Sequence, residues 1–320
     1  MLIEDQHPHN KSIMISVLGK PNVGKSSFIN HLLGFDLTIV SSKPQTTRNQ
    51  FHCAFTIDRT EVVLVDTPGV HSNAQELNKR MVGQAKLGSE GVDLNFVLID
   101  LTSDMRAEFR DFLKNFEAPL TRTWIIFTKA DLVKLEDFKL DEVFTSLKLL
   151  SPDLERYFVI SSKNGHNIHE LTGAIADSAQ SGPHLYPQGD VSNKNMRFFA
   201  TEYIREQAFR LLKEELPYEI AVVIDEYKDV VKKEADPEAH ISASILVNRP
   251  SQRAIVVGKG GSIIKEIGQN ARKKIQAMTG GKVHLNLHVK VSPKWFNNNW
   301  VLDEIGLPRT QNSTRVWRKK

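Results

Sequence analysis

The run Gly19, Lys20, Pro21, Asn22, Val23, Gly24, Lys25, Ser26 and Ser27 has the spacing of a loop that wraps a polyphosphate. Leaving a strand and opening a helix, such a loop turns backbone N–H groups inward. Its lysine reaches the β- and γ-phosphates, and its serine hydroxyl binds Mg²⁺. Asp66, Thr67, Pro68 and Gly69 follow an apolar run at 62–65. An aspartate there can hold Mg²⁺ through water, and the glycine lets a backbone N–H approach a γ-phosphate that leaves on hydrolysis. Thr128, Lys129, Ala130 and Asp131 end another apolar run. A carboxylate at that place can accept both the ring N–H and the exocyclic amine of guanine; adenine lacks the ring donor. Ser161, Ser162 and Lys163 can add backbone donors to guanine's carbonyl oxygen. Each short motif is weak alone. In this order, each at a strand's end, they point to GTP, with an ATP-binding phosphate-loop protein as the alternative.

Between the phosphate loop and Asp66, residues 41–48 form a polar stretch interrupted by proline. It suits a switch in which Thr46 or Thr47 coordinates Mg²⁺ only while the γ-phosphate is present. Residues 70–78 suit a second switch. The residues expected to serve hydrolysis are therefore Lys25, Thr46 or Thr47, Asp66 and Gly69, and those expected to hold the metal are Ser26, Thr46 or Thr47, and Asp66. Val70 stands where Ras-type enzymes place a glutamine that orients the attacking water, so slow intrinsic hydrolysis is expected. Thr128 stands where asparagine is commoner. Its hydroxyl can brace the phosphate loop with fewer hydrogen bonds, which predicts modest nucleotide affinity.

The elements that must position these groups alternate along residues 12–180. Strands are predicted at 13–18, 51–57, 61–66, 94–100, 123–127 and 156–161, several of them near-continuous apolar runs as in a parallel sheet covered on both faces. The pair 51–57 and 61–66 is separated by a short polar turn and reads as an antiparallel hairpin at the edge. The layout is α/β and doubly wound, with ligands beyond the carboxyl ends of the strands. Residues 181–195, rich in Gly, Pro, Ser and Asn, read as a linker. A helix at 199–215, strands at 218–226 and 241–247, a glycine loop, a long helix, a strand at 282–291 and a last helix then suggest a small α+β domain over 196–308. Residues 309–320 are a basic tail, at least as apt to fray as to touch RNA or an acidic surface.

The glycine loop of that second half, Gly258, Lys259, Gly260 and Gly261, is followed by an amphipathic pattern with Ile264, Ile267, Ala271, Ile275 and Met278 on one face. Glycines at such a crossing let a nucleic-acid backbone lie close to the positive end of the helix. From Lys259 to Lys282 the basic residues Lys259, Lys265, Arg272, Lys273, Lys274 and Lys282 are accompanied by a single acid, Glu266. Charge clustered in this way is what a phosphate-binding face requires. His284 and His288 share a strand face, but no acidic or cysteine partner is apparent beside them in the sequence, so no metal is expected there.

The remaining composition sets bounds. A chain of 320 residues is long for one core, and a net charge of +4 is informative only where it clusters. The lone cysteine, Cys53, can form no intrachain disulfide and reads as packed in a strand. No stretch reaches about 18 apolar residues, and the N-terminal residues lack a signal-peptide pattern. A cytoplasmic protein is expected.

Taken together, GKPNVGKSS at 19–27, KPQTTRNQ at 43–50, DTPGVH at 66–71, ELPYEIAV at 215–222 and VVGKGGSIIKEIGQNARKKIQ at 256–276 resemble the Era family of bacterial ribosome-assembly GTPases. The likeness covers residues 12 to 308. It implies a Ras-like G domain with a mixed, mostly parallel sheet, followed by a type II KH domain. It also implies binding of the single-stranded 3′ end of 16S ribosomal RNA, a part in maturation of the 30S ribosomal subunit, a monomer, and some peripheral association with the inner membrane. In related GTPases with an apolar residue after the Asp-x-x-Gly motif, a phosphate-loop asparagine can hold a monovalent cation. Asn22 occupies that position, which makes K⁺ a candidate. Competing readings are a non-catalytic RNA-binding adaptor with a structural nucleotide and a tRNA-modifying GTPase, for whose extra module the chain has no region left.

Overall fold

The computed structural model describes residues 7–40, 47–70, 75–187, 189–230 and 238–309. In the first half, β1 (Lys11–Gly19), α1 (Lys25–Leu33), β2 (Phe51–Ile57), β3 (Thr60–Asp66), α2 (Glu76–Ser89), β4 (Leu94–Asp100), α3 (Met105–Phe116), β5 (Thr123–Thr128), α4 (Leu140–Leu150), β6 (Leu154–Val159), α5 (Ile168–Ser178) and the short β7 (Gln180–Ser181) follow one another. The sheet runs β2-β3-β1-β4-β5-β6. Its ladders are parallel except for the β2–β3 hairpin and a brief antiparallel pairing of β7 with β1. This is the doubly wound, mostly parallel sheet that the alternating pattern anticipates, with the hairpin at the edge, and its mixed order is the Ras-like one that the resemblance implies. Central strands are apolar on both sides because helices cover both faces; every residue of β3 and β5 is buried. Strand β6 starts and ends two residues earlier than the sequence suggests. Past Val159 the chain still pairs irregularly, Ile160 N–H donating to Phe127 O at 2.8 Å and Ile160 O accepting from Ala130 N–H at 3.1 Å, as it bends toward Asp131.

The second half contains α6 (Met196–Leu211), β8 (Ile220–Val230), β9 (Glu238–Val247), α7 (Pro250–Val257), α8 (Ser262–Thr279), β10 (Lys282–Val291) and α9 (Asn299–Glu304). Strand β9 lies between β8, antiparallel to it, and β10, parallel to it. Alternate residues of β9 (Ala239, Ile241, Ala243, Ile245, Val247) join the buried face with Ile267, Ala271 and Ile275 of α8. Ile264 and Met278 are only partly buried against it.

The described residues of 181–195 are docked on the first half. Leu185 and Tyr186 donate backbone N–H groups to Glu61 at 2.6 and 3.1 Å, and Ala54 N–H reaches Val191 O at 3.1 Å. The segment thereby covers the outer edge of β2. Among the described residues no helix is long and apolar enough to cross a membrane.

Candidate nucleotide site and nucleic-acid loop

The phosphate loop turns where β1 ends. Asn22 (φ 64°) and Gly24 (φ 103°) take left-handed backbone, and Gly24 opens α1. Lys25 Nζ donates to Gly19 O at 3.1 Å and Lys20 O at 2.9 Å, spanning the loop's mouth. Its ammonium is buried, and burial lowers its pKa to about 8 against the opposing pull of Asp66. Asp66, at the end of β3, is fully buried, and burial raises its pKa to about 7 while Lys25 resists. Its Oδ2 accepts from Thr47 Oγ1 at 3.3 Å, and Thr47 Oγ1 lies 3.4 Å from Ser26 Oγ. Among the described residues Asp66 Oδ1 has no hydrogen-bond partner. Two hydroxyls beside a carboxylate with an orphaned buried oxygen form an all-oxygen set that fits Mg²⁺. Thr46, with the rest of residues 41–46, lies outside the described residues. Ser27 follows in the first turn of α1.

Thr67 Oγ1 donates to Val17 O at 2.6 Å and fastens the Asp-Thr-Pro-Gly turn, with Pro68, to β1. Gly69 runs so close to the phosphate loop that a Cβ there would lie 2.9 Å from Pro21, so no other residue fits without displacement. Val70 donates its N–H to Gly19 O at 3.2 Å while its side chain is buried, so it offers nothing to a water molecule. Of the second candidate switch, residues 71–74 are outside the described residues, and 76–78 already belong to α2.

At the other end of the site, Thr128 Oγ1 donates to Val23 O at 2.6 Å and to Ile99 O at 3.2 Å, tying β5 to the phosphate loop. Lys129, left-handed at φ 63°, pairs with Asp100 at 2.5 Å. Asp131 accepts from Ser161 Oγ at 2.6 Å, and Ser161 Oγ accepts from Lys163 N–H at 3.2 Å. Lys163 Nζ stands 3.8 Å from Asp131, with Ser162 between these two residues in sequence. The side chain of Ser161 thus orients Asp131, a role beyond the backbone donors foreseen from sequence. Asp100 was missed, although it too ends a strand.

In the second half, Gly258 (φ 72°), Gly260 (φ 59°) and Gly261 (φ 79°) form a tight loop between α7 and α8. Only glycine suits position 258: its φ is positive, which side chains rarely adopt, and a Cβ would meet Ile263 at 2.7 Å. Lys259, Lys265, Arg272 and Lys273 are exposed. Lys274 departs from expectation. Its ammonium makes two bonds to Glu206 of α6, at 2.9 and 2.8 Å, so its charge is neutralised inside the domain and withdrawn from the basic face.

How the halves meet is not legible in the residue pattern. Arg48, next to Thr47, is buried in the second half, donating to Ile220 O at 2.8 Å between the rings of Phe209 and Trp295. Burial lowers its pKa to about 9, which leaves it charged at neutral pH. Asn49 donates to Ile305 O at 2.9 Å. From α2, buried Arg80 reaches Asp303 and Leu307 O, each at 2.6 Å, while Leu77 and Met81 pack with Trp295, Val301 and Leu302.

Comparison with known proteins agrees with both halves. Residues 14–129 match a family model described as a 50S ribosome-binding GTPase, and residues 215–296 match the KH domain. GTPase Era of Thermotoga maritima is 37% identical over 298 residues, covering 93% of this chain and 97% of that protein. GTPase Era of Carboxydothermus hydrogenoformans is 35% identical, covering 91% and 96%. A crystal structure of Era in complex with MgGDPNP and nucleotides 1506–1542 of 16S ribosomal RNA superposes with TM-score 0.83 at 31% identity, covering 94% of this chain and all of that one. A variant of Aquifex aeolicus Era bound to GDP·AlF₄⁻ gives TM-score 0.82 at 30% identity, covering 93% and 100%.

Proposed function

Because the chain belongs to the Era family of GTPases, which hydrolyse GTP to GDP and phosphate, we propose that it is a GTP-dependent switch whose KH domain binds the 3′ end of 16S ribosomal RNA during maturation of the 30S subunit. The observation that carries this reading is the adjacency of Thr47, bonded to Asp66 in the nucleotide site, and Arg48, embedded in the KH domain. Domains are assigned as 12–180 for the G domain, 181–195 for the connecting segment, 196–308 for the KH domain and 309–320 for the tail. The RNA assignment is supported by the glycine loop with its exposed basic face and by the ribosomal RNA bound to the similar Era structure.

In this proposal Lys25 stabilises charge on the β- and γ-phosphates, the phosphate-loop backbone cradles them, and Asp131 held by Ser161 selects guanine. Ser26, Thr47 and Asp66 would hold Mg²⁺, which would supply positive charge to the phosphate oxygens. Gly69 carries the N–H that reads the γ-phosphate, and Lys259, Lys265, Arg272 and Lys273 bind RNA phosphates. We also assign a K⁺ to Asn22, because buried Val70 cannot position water and a cation would supply charge. Hydrolysis should be faster in K⁺ than in Na⁺ at equal ionic strength; equal rates reject the assignment. A cytoplasmic monomer with peripheral membrane contact completes the proposal.

The decisive test is binding of a 16S 3′-end RNA fragment to protein loaded with GDP or a non-hydrolysable GTP analogue. A coupled switch should show affinities differing about 5- to 150-fold, the range of ordinary allosteric coupling. Equal affinities would leave two independent modules on one chain.

A further inference from the structure

The face of the KH sheet opposite α6 and α8 has two unlike ends. Near the end of β9, Leu246 packs with Leu77, Met81 and Trp295. At its start, about 20 Å away for six residues of strand, the same face carries Glu238 and His240. Residues two apart on a strand share a face, and the parallel register of β10 sets His284 directly beside His240. Two side chains of one strand and a third, remote in sequence, on its neighbour are therefore brought together by two rigid strands.

Their geometry is convergent. His284 Nε2 lies 2.8 Å and His240 Nε2 3.3 Å from the same oxygen, Glu238 Oε1. The imidazoles stack with centroids 4.6 Å apart and planes 17° from parallel, so both Nε2 atoms are presented to one side. One potential ligand atom from each of the three residues lies within 4.8 Å of the others. Lys228, the neighbour of His240 on β8, has its ammonium on Glu226 at 2.6 Å. The sequence left His284 without partners because these lie on a strand that only the parallel pairing brings alongside.

We propose that Glu238, His240 and His284 bind one divalent cation of the Zn²⁺ class on the outer face of the KH domain. Two imidazoles and a carboxylate suit Zn²⁺ and its neighbours, whereas Mg²⁺ prefers oxygen donors. Ligand atoms of a tetrahedral Zn²⁺ site stand about 3.3 Å apart, given bonds of roughly 2.0–2.2 Å, which small rotations of these half-exposed rings reach. A water molecule would complete the coordination. The G domain and the KH domain would thus draw different ions from one solution, sorted by ligand chemistry.

Zn²⁺ titration by calorimetry, on the full chain in saturating Mg²⁺ and GDP, tests the site. The native chain should show a binding step that His240→Asn and His284→Asn each weaken about 100-fold or more, because loss of a direct ligand should match or exceed the loss of an outer partner. His288→Asn, on the same strand face, should retain it, and Glu238→Gln should weaken it. GTP turnover in each variant reports that the chain is folded. An unchanged step in His284→Asn, equal weakening in His288→Asn, or displacement of Zn²⁺ by excess Mg²⁺ would overturn the proposal.

Discussion

Asp131 accepts a hydrogen bond from the Ser161 hydroxyl, and its proposed role is to receive two donors from a guanine edge. Asp131→Asn replaces one acceptor by a donor, which then opposes a guanine N–H. GDP affinity should fall about 10- to 100-fold, the cost of one or two mismatched polar groups, while xanthosine diphosphate binds better than it does to the native chain. Competition binding measures both, and unchanged guanine selectivity would remove Asp131 from its assigned role. Such residues are legible because their motifs are local: Asp66, Thr128 and Asp131 each sit where an apolar run stops. Lys274 shows the limit of that reading. Its basic neighbours are visible in sequence, but Glu206, which captures its charge, lies on a helix far earlier in the chain.

The glycine loop with α8 shows what an element adds. Left-handed backbone at its glycines exposes the loop, while Ile267, Ala271 and Ile275 fix the helix against the sheet. Lys259→Asp with Gly260→Asp should weaken RNA binding and flatten its dependence on salt, because phosphate contacts set both. GTP hydrolysis measured without RNA should persist. RNA affinity equal to that of the native chain would place the interface elsewhere. Strands and amphipathic helices of both halves were readable from periodicity, but the docking of residues 181–195 was not. That segment is held by backbone bonds to Glu61 and to the edge of β2, and a backbone donor leaves no trace in the residue alphabet. Covering an edge strand also shields it from pairing with other chains.

At the scale of the whole molecule, two buried arginines join the halves, and neither could be read from sequence because each is matched to carbonyls or side chains remote along the chain. Arg48→Ala leaves the Ile220 carbonyl without this donor and opens space between Phe209 and Trp295. A loss of about 1–3 kcal/mol of stability is expected, measured by denaturant unfolding. RNA affinities with the di- and triphosphate should also converge in this variant; an undiminished difference would show that coupling runs by another route. The pairing of Thr47 with one domain and Arg48 with the other has an arithmetic consequence. No lever, hinge or relay separates Thr47 from Arg48, since a single amide joins them. Spacing is therefore as much a part of the device as identity: one extra residue inserted between them would keep both side chains in the gene and aim at least one of them at the wrong domain.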